Sequence, residues 1–284
     1  MTRLRKPPFP SENEPWLLAD WIEATVLATW TPVSRASLKS LFAREDVEDV
    51  EARVADVWGE IRRRGRLCGD GSPLALMEEG DNLEPRGKLT TALFYYFLCL
   101  LSIGEEVDNR ARELFEHCVT DLAFGLSGFP AVRIGAPRRP PVPVSLELAV
   151  EQYTASSVER LAVRPLEPND KDLGLDVATW HPYPDGRGGY LHFLGQCATG
   201  RDWFEDRKLF DLNLDVWKQH VAWLVSPVRF FALPFVVPET RWWRTCAGGG
   251  LVLDRPRLLE LYCRRALPAT RLKEIRSWCG TVAA

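Results

Sequence analysis

Between Asp172 and Gly200 the chain reads DLGLDVATWHPYPDGRGGYLHFLGQCATG, two apolar runs joined by a turn rich in Pro and Gly. Leu175 to Trp180 and Tyr190 to Cys197 are of strand length, and PDGRGG supplies turn residues between them, so the stretch predicts a β-hairpin. The glycines do not precede a helix and therefore make no phosphate-binding loop. A hairpin commits this segment to a sheet whose faces the rest of the chain must cover.

The flanking sequence predicts that cover. Ala111, Leu114, Phe115, Cys118, Val119, Leu122, Ala123 and Leu126 recur at helical spacing, with Asp108 as N-cap and Gly125 and Gly128 as weak points or stops. Phe129 to Gly135 alternates like a strand, Pro137 to Val144 is a loop or extended crossing, and the region around Ser145 to Leu161 is helical. After the hairpin, the aromatic and aliphatic spacing of Asp202 to Leu224 predicts mostly helix, with Asp211 and Asn213 as points of interruption. Arg229 to Val237 then reads as a buried strand with an edge or bulge at Pro234. A short strand at Leu251 to Leu253 and helices near Pro256 to Leu267 and Arg271 to Cys279 follow. The expected class is α/β with helix, strand, hairpin, helix, strand in that order over 108–284, preceded by a helical module over 1–107. Trp16, Trp21, Ile22, Val26 and Trp30 give one apolar face of that module, and Val47, Val50, Val54, Val57, Trp58 and Ile61 another.

A chain of 284 residues that is 46% hydrophobic has material for a large core. Its net charge of −3 excludes an overall basic footprint, so any nucleic-acid contact must come from local clusters. Arg62-Arg63-Arg64 with Arg66 reads as the cationic end of a helix. Arg133, Arg138 and Arg139, and Arg187 in the hairpin turn, flank the region singled out above. Seven cysteines without paired CxxC or His/Cys spacing point to neither a disulfide framework nor zinc, which fits a reducing cytoplasm. The opening residues lack the apolar core of a signal peptide, and Leu89 to Gly104 is too short and too hydroxylated for a bilayer, so no membrane contact is expected.

Asp176 stands at the head of the first hairpin strand and Gln196 near the end of the second. Gly174-Leu175-Asp176-Val177 and Gln196-Cys197-Ala198 resemble the metal-binding hairpin of the PD-(D/E)xK phosphodiesterases, the restriction-endonuclease-like nucleases, and among them the Mrr-like members. The resemblance covers roughly residues 108 to 260. It implies an αβββαβ core, Mg2+ or Mn2+ as cofactor, DNA as substrate, and service in restriction or anti-phage defence beside a companion ATPase or sensor. A hard divalent ion takes oxygen ligands and makes water nucleophilic near neutral pH.

Asp176 is the expected first ligand, Gln196 a neutral second one, and a Glu of the first core helix the other charged group. At 100° per residue Glu116 lies on the border of the apolar stripe whereas Glu113 projects toward water, so Glu116 is the choice. Asp172 is the weaker candidate, a turn residue before the strand. Ala198 occupies the position of the family's lysine, and the resemblance brings Lys208 or Arg201 of the following segment forward as the cation. Ala198 also supports an alternative expectation, a nuclease-like fold without catalysis that binds nucleic acid or assembles with other proteins. Cys197, His181 and His192 read as structural, and Trp242-Trp243 with Arg241 and Arg244 as core packing.

Overall fold

A computed structural model describes residues 15–44, 48–77, 81–104, 107–167 and 170–282. The chain opens with α1 (Pro15–Thr29), β1 (Val33–Ser34), α2 (Arg35–Arg44), α3 (Val50–Cys68), β2 (Leu74–Leu76), β3 (Asn82–Pro85) and α4 (Leu89–Ile103). The three strands form a small antiparallel sheet in the order β1-β3-β2, an element the sequence reading did not contain because each strand has only two to four residues. Helix α4 is apolar nearly all round and is enclosed by its neighbours, as that pattern requires.

The second part runs α5 (Asn109–Ser127), β4 (Val132–Arg133), α6 (Leu146–Ser156), β5 (Arg160–Leu161), β6 (Val177–His181), β7 (Leu191–Cys197), α7 (Asp206–Leu209), α8 (Leu214–Trp217), β8 (Val221–Ala222), β9 (Val228–Ala232), α9 (Glu239–Gly249), β10 (Leu251–Leu253), α10 (Arg255–Arg264) and α11 (Ala269–Val282). Helix α5 begins where the Asp108 carboxylate accepts the Ala111 amide at 2.6 Å and stops at Gly128, whose φ of 73° ends the turn. Its predicted stripe is buried from Ala111 to Ala123. The stretch from Asp202 to Leu224 is interrupted between Asp211 and Asn213 as expected, but it is far less helical than expected. It holds two single turns, α7 and α8, rather than continuous helix, and Asn213 caps its own turn through Asp215 N at 2.8 Å.

Five strands form the main sheet in the order β10-β9-β7-β6-β4. β4, β6 and β7 are antiparallel in sequence, and β7, β9 and β10 are parallel. Gly195 on β7 faces Phe230 on β9 so closely that any side chain there would enter the ring. One face of the sheet, with Val177 and Phe193, packs into a cluster shared with α1, α3, α4, α5, α10 and α11. The other, with Ala178 and Leu194, packs against Tyr153 of α6 and Trp217 of α8. A third cluster joins Ala198, Trp203 and Phe231. The protein is thus a mixed α/β structure with helices on both faces of its sheet.

The first cluster runs from Leu18 to Cys279, so the expected boundary near residue 107 does not separate two cores. An enclosed ionic network reinforces the union. Arg255, at the start of α10, reaches Asp20 Oδ1 at 2.7 Å and Glu23 Oε2 at 3.1 Å, and donates to Ser102 Oγ and Pro234 O at 2.8 Å each. Arg64 donates to the same two carboxylates at 2.6 and 2.9 Å. Burial opposes the Asp20 charge, but Arg255 and Arg64 hold its carboxyl below the usual range. Read from sequence as part of a cationic helix end, Arg64 is in fact only 1% exposed.

Candidate functional site

Asp176 lies just before β6 and its backbone is held on both sides. Its carbonyl accepts the amides of Ile134 at 2.7 Å and Gly135 at 3.1 Å, and its amide donates to Gly195 O at 2.9 Å. Two residues opposite one is the pairing of a bulge, a device that re-aims a side chain at a strand end. The carboxylate accepts the Cys197 amide through Oδ2 at 2.7 Å. Glu116 arrives from α5 with its side chain 14% exposed, and Arg133 of β4 donates to its Oε2 from Nε at 2.7 Å.

The two carboxylates meet at a glycine. A Cβ on Gly135 would lie 2.7 Å from Glu116 Oε2 and 2.9 Å from Asp176 Oδ1, so the missing side chain is what lets both oxygens approach. Burial first, and then Asp172 and Glu113, push the Glu116 carboxyl up to about 7 against the pull of Arg133. Burial and the neighbouring Glu116 raise Asp176 well above the carboxylate range. The pair therefore favours a shared proton or a shared cation over two bare charges.

This shift has a sign that can be measured. A carboxyl that binds its proton more tightly when folded makes stability fall as pH rises from the unfolded value, near 4.5, through the folded one, about 7. In metal-free buffer, urea unfolding is expected to show about 2 kcal/mol lost from this source between pH 5 and pH 8. Glu116→Gln should remove most of that decline. An equal decline in the variant would place its cause elsewhere.

Glu116, Arg133 and Asp172 line a cleft of about 980 Å³. Its wall also carries Arg110, Arg112 and Lys171, all exposed. Inside the cleft Glu113, Glu116 and Asp172 stand with Arg133 and Arg271, and the exposed mouth is mainly basic. No family profile, no curated protein and no solved structure matches this chain.

The other expected residues fall in different places. Gln196 Oε1 accepts the Leu212 amide at 3.4 Å and its Nε2 points to Asp211 Oδ2 at 3.5 Å, so its amide is engaged with the loop before α8. Alternation along β7 puts Gln196 on the face of Leu194, and Cys197 on the face that packs toward α5. The Lys208 charge acts on Asp211. Arg201 donates to Ile103 O at the end of α4, at 2.6 Å. Ala198 is 7% exposed among Trp203 and Phe231. Glu116 and Asp176 are thus brought together, while Gln196 and Lys208 gather around Asp211.

Among the expected phosphate contacts, Arg138 is spent on the carbonyls of Val144, Ile134 and Lys171, and shapes the loop behind the cleft. Arg139 is exposed and pairs with Glu113 at 2.8 Å. Arg187 pairs with Asp185 at the hairpin tip, the opposite end of β6 from Asp176. Five strand residues alone set those ends roughly 17 Å apart. His192 is enclosed between Tyr153 OH at 2.5 Å and Glu159 at 3.3 Å, a structural setting. Trp242 lies beneath Arg257, whereas Trp243 is 82% exposed rather than packed in the core. Sequence reasoning missed Gly135 altogether and ranked Asp172 low. The signal for Asp172 was its position four residues before Asp176 in a Gly-containing turn.

Proposed function

We propose that this chain is a divalent-metal-dependent nuclease of restriction-endonuclease-like fold, hydrolysing DNA phosphodiester bonds in restriction or anti-phage defence. The observation that carries the reading is the convergence of Glu116 and Asp176 on Gly135. The main-sheet order β4, β6, β7 after α5, then the turns α7 and α8 and β9 parallel to β7, supports the αβββαβ expectation, with α6 and β5 inserted between β4 and β6 and β8 between α8 and β9. Fold order alone would not establish chemistry.

Among the described residues no group of three or more His, Cys, Asp and Glu side chains is arranged around a metal position. Magnesium asks for less, since one or two carboxylates with water and substrate phosphate complete its shell. The cradle at Gly135 and the mutual repulsion of its two carboxylates fit such an ion, held by Glu116 and Asp176. When bound, Mg2+ or Mn2+ would neutralise phosphate oxygens and lower the pKa of water. Cys197 N fixes Asp176, and Arg133 fixes Glu116, so neither ligand has to be ordered on binding. Arg110, Arg112 and Lys171 at the mouth suit the phosphates on either side of the reacting one. A companion ATPase or sensor belongs to the same proposal. No described helix is long and apolar enough to cross a membrane.

A second reading is favoured by Gln196 and Ala198, one turned to Asp211 and the other buried without a charge: a nuclease-like subunit that binds without cutting. Supercoiled plasmid incubated with Mg2+ or Mn2+ separates the two. Nicking by the parent and none by Asp176→Ala is the outcome expected of the enzyme. Salt-sensitive DNA binding without nicking by either protein would replace the first reading with the second.

A further inference from the structure

Hydrolysis of a phosphodiester piles negative charge on the non-bridging oxygens, and a nearby cation is needed to hold it. Neither Ala198 nor Lys208 stands beside Glu116 and Asp176, yet one guanidinium does. Arg133 is carried on the edge strand β4, two residues before Gly135, so its side chain rises next to the cradle. The residue is 8% exposed and lines the cleft. Its Nε is bound to Glu116 Oε2 at 2.7 Å and its Nη1 to Pro137 O at 2.8 Å. Nη2 lies 2.7 Å from the same Glu116 oxygen but without the alignment of a hydrogen bond, and it has no hydrogen-bond partner among the described residues.

We propose that Arg133 supplies the cation absent from position 198, with Nη2 donating to a non-bridging oxygen of the scissile phosphodiester while Nε and Nη1 keep the guanidinium in place. This rests on the nuclease reading above. A planar fork anchored at two points is oriented before substrate arrives, which a flexible lysine is not. The water oxygen forms its bond to phosphorus as the bond to the leaving sugar oxygen breaks. The water's proton passes to solvent and the leaving oxygen gains one from solvent, because a guanidinium stays charged and takes no proton. Arg133 therefore differs from the lysine in role: it stabilises charge and does not act as a base.

The test uses the full chain, with Arg133→Ala and Arg133→Lys, and three readouts: cleavage of a 5′-labelled oligonucleotide, its KM and kcat, and Mn2+ binding followed calorimetrically without DNA. Arg133→Ala should lower kcat by about 100-fold, while Mn2+ affinity changes far less, since losing the contact that orders Glu116 is offset by removal of a positive neighbour. Arg133→Lys keeps the charge but loses the fork, and should recover about 10-fold of that loss with KM little changed. Circular dichroism matching the parent excludes a folding failure, and if Arg133→Ala does not fold, the kcat of Arg133→Lys decides. Mn2+ affinity falling in step with kcat would mean that Arg133 only props Glu116, and the proposal would be wrong. Unchanged kcat in Arg133→Ala, or in Arg133→Lys, would overturn it too, with the nuclease reading intact. A parent protein that neither binds Mn2+ nor cuts would remove both.

Discussion

Under the nuclease proposal, Gly135→Ala is expected to leave a folded protein whose cleavage falls by about 1,000-fold, because the two oxygens proposed to face the metal are displaced at once. The added methyl would meet Glu116 Oε2 at 2.7 Å and Asp176 Oδ1 at 2.9 Å, with the Asp176 Cα at 3.4 Å. Neither carboxylate can withdraw freely, since Asp176 holds the Cys197 amide and Glu116 holds Arg133. Gly135 is not in the left-handed backbone region, so alanine brings no conformational strain of its own. The loss should appear in Mn2+ affinity and in kcat, with circular dichroism matching the parent and the unfolding midpoint lowered by the cost of moving two held carboxylates. Full activity in this variant would show that the carboxylates do not work as a pair.

Arg255→Ala is expected to cost about 4 kcal/mol of stability. Asp20 and Glu23 would remain enclosed with Arg64 as their one remaining guanidinium among the described residues, and Pro234 O and Ser102 Oγ would each lose a donor. Asp20, Ser102 and Arg255 are fully enclosed, so water cannot take over these roles without opening the helices. Urea unfolding at pH 7, followed by fluorescence and by circular dichroism, measures the loss. Because the network and the first apolar cluster both span α1 to α10, the two signals should move together in one transition. Two separate transitions would contradict the shared core.

The elements visible in the sequence were those whose pattern is local. Helix α5 announces itself through a stripe, an Asp cap and a terminal Gly, and the hairpin through two apolar runs about a turn. Glu116 was reachable by the same arithmetic, since its angular place on α5 follows from spacing alone. Residues whose meaning depends on what approaches them were not legible. Nothing in AVRIGAP says that two carboxylates close on Gly135, or that Arg133 turns inward while Arg139, six residues on, faces water. Gln196 was misplaced because a motif gives a residue's position along a strand and not which partner claims its amide. The Asp202 to Leu224 stretch has helical spacing of aromatics, yet local capping by Asn213 and the demands of two packed clusters break it into turns. Asp20, Glu23, Arg64 and Arg255 look like surface charges in the sequence, and only the fold joins them.

The continuous apolar cluster from α1 to α11 bears on portability. A cutter meant for transplantation is usually a self-sufficient module that can be spliced onto another binding head. Here the half that carries Glu116 and Asp176 borrows its foundation from the first hundred residues, so if the nuclease proposal holds, new specificity is better grafted onto the loops around the cleft than obtained by severing the polypeptide between α4 and α5.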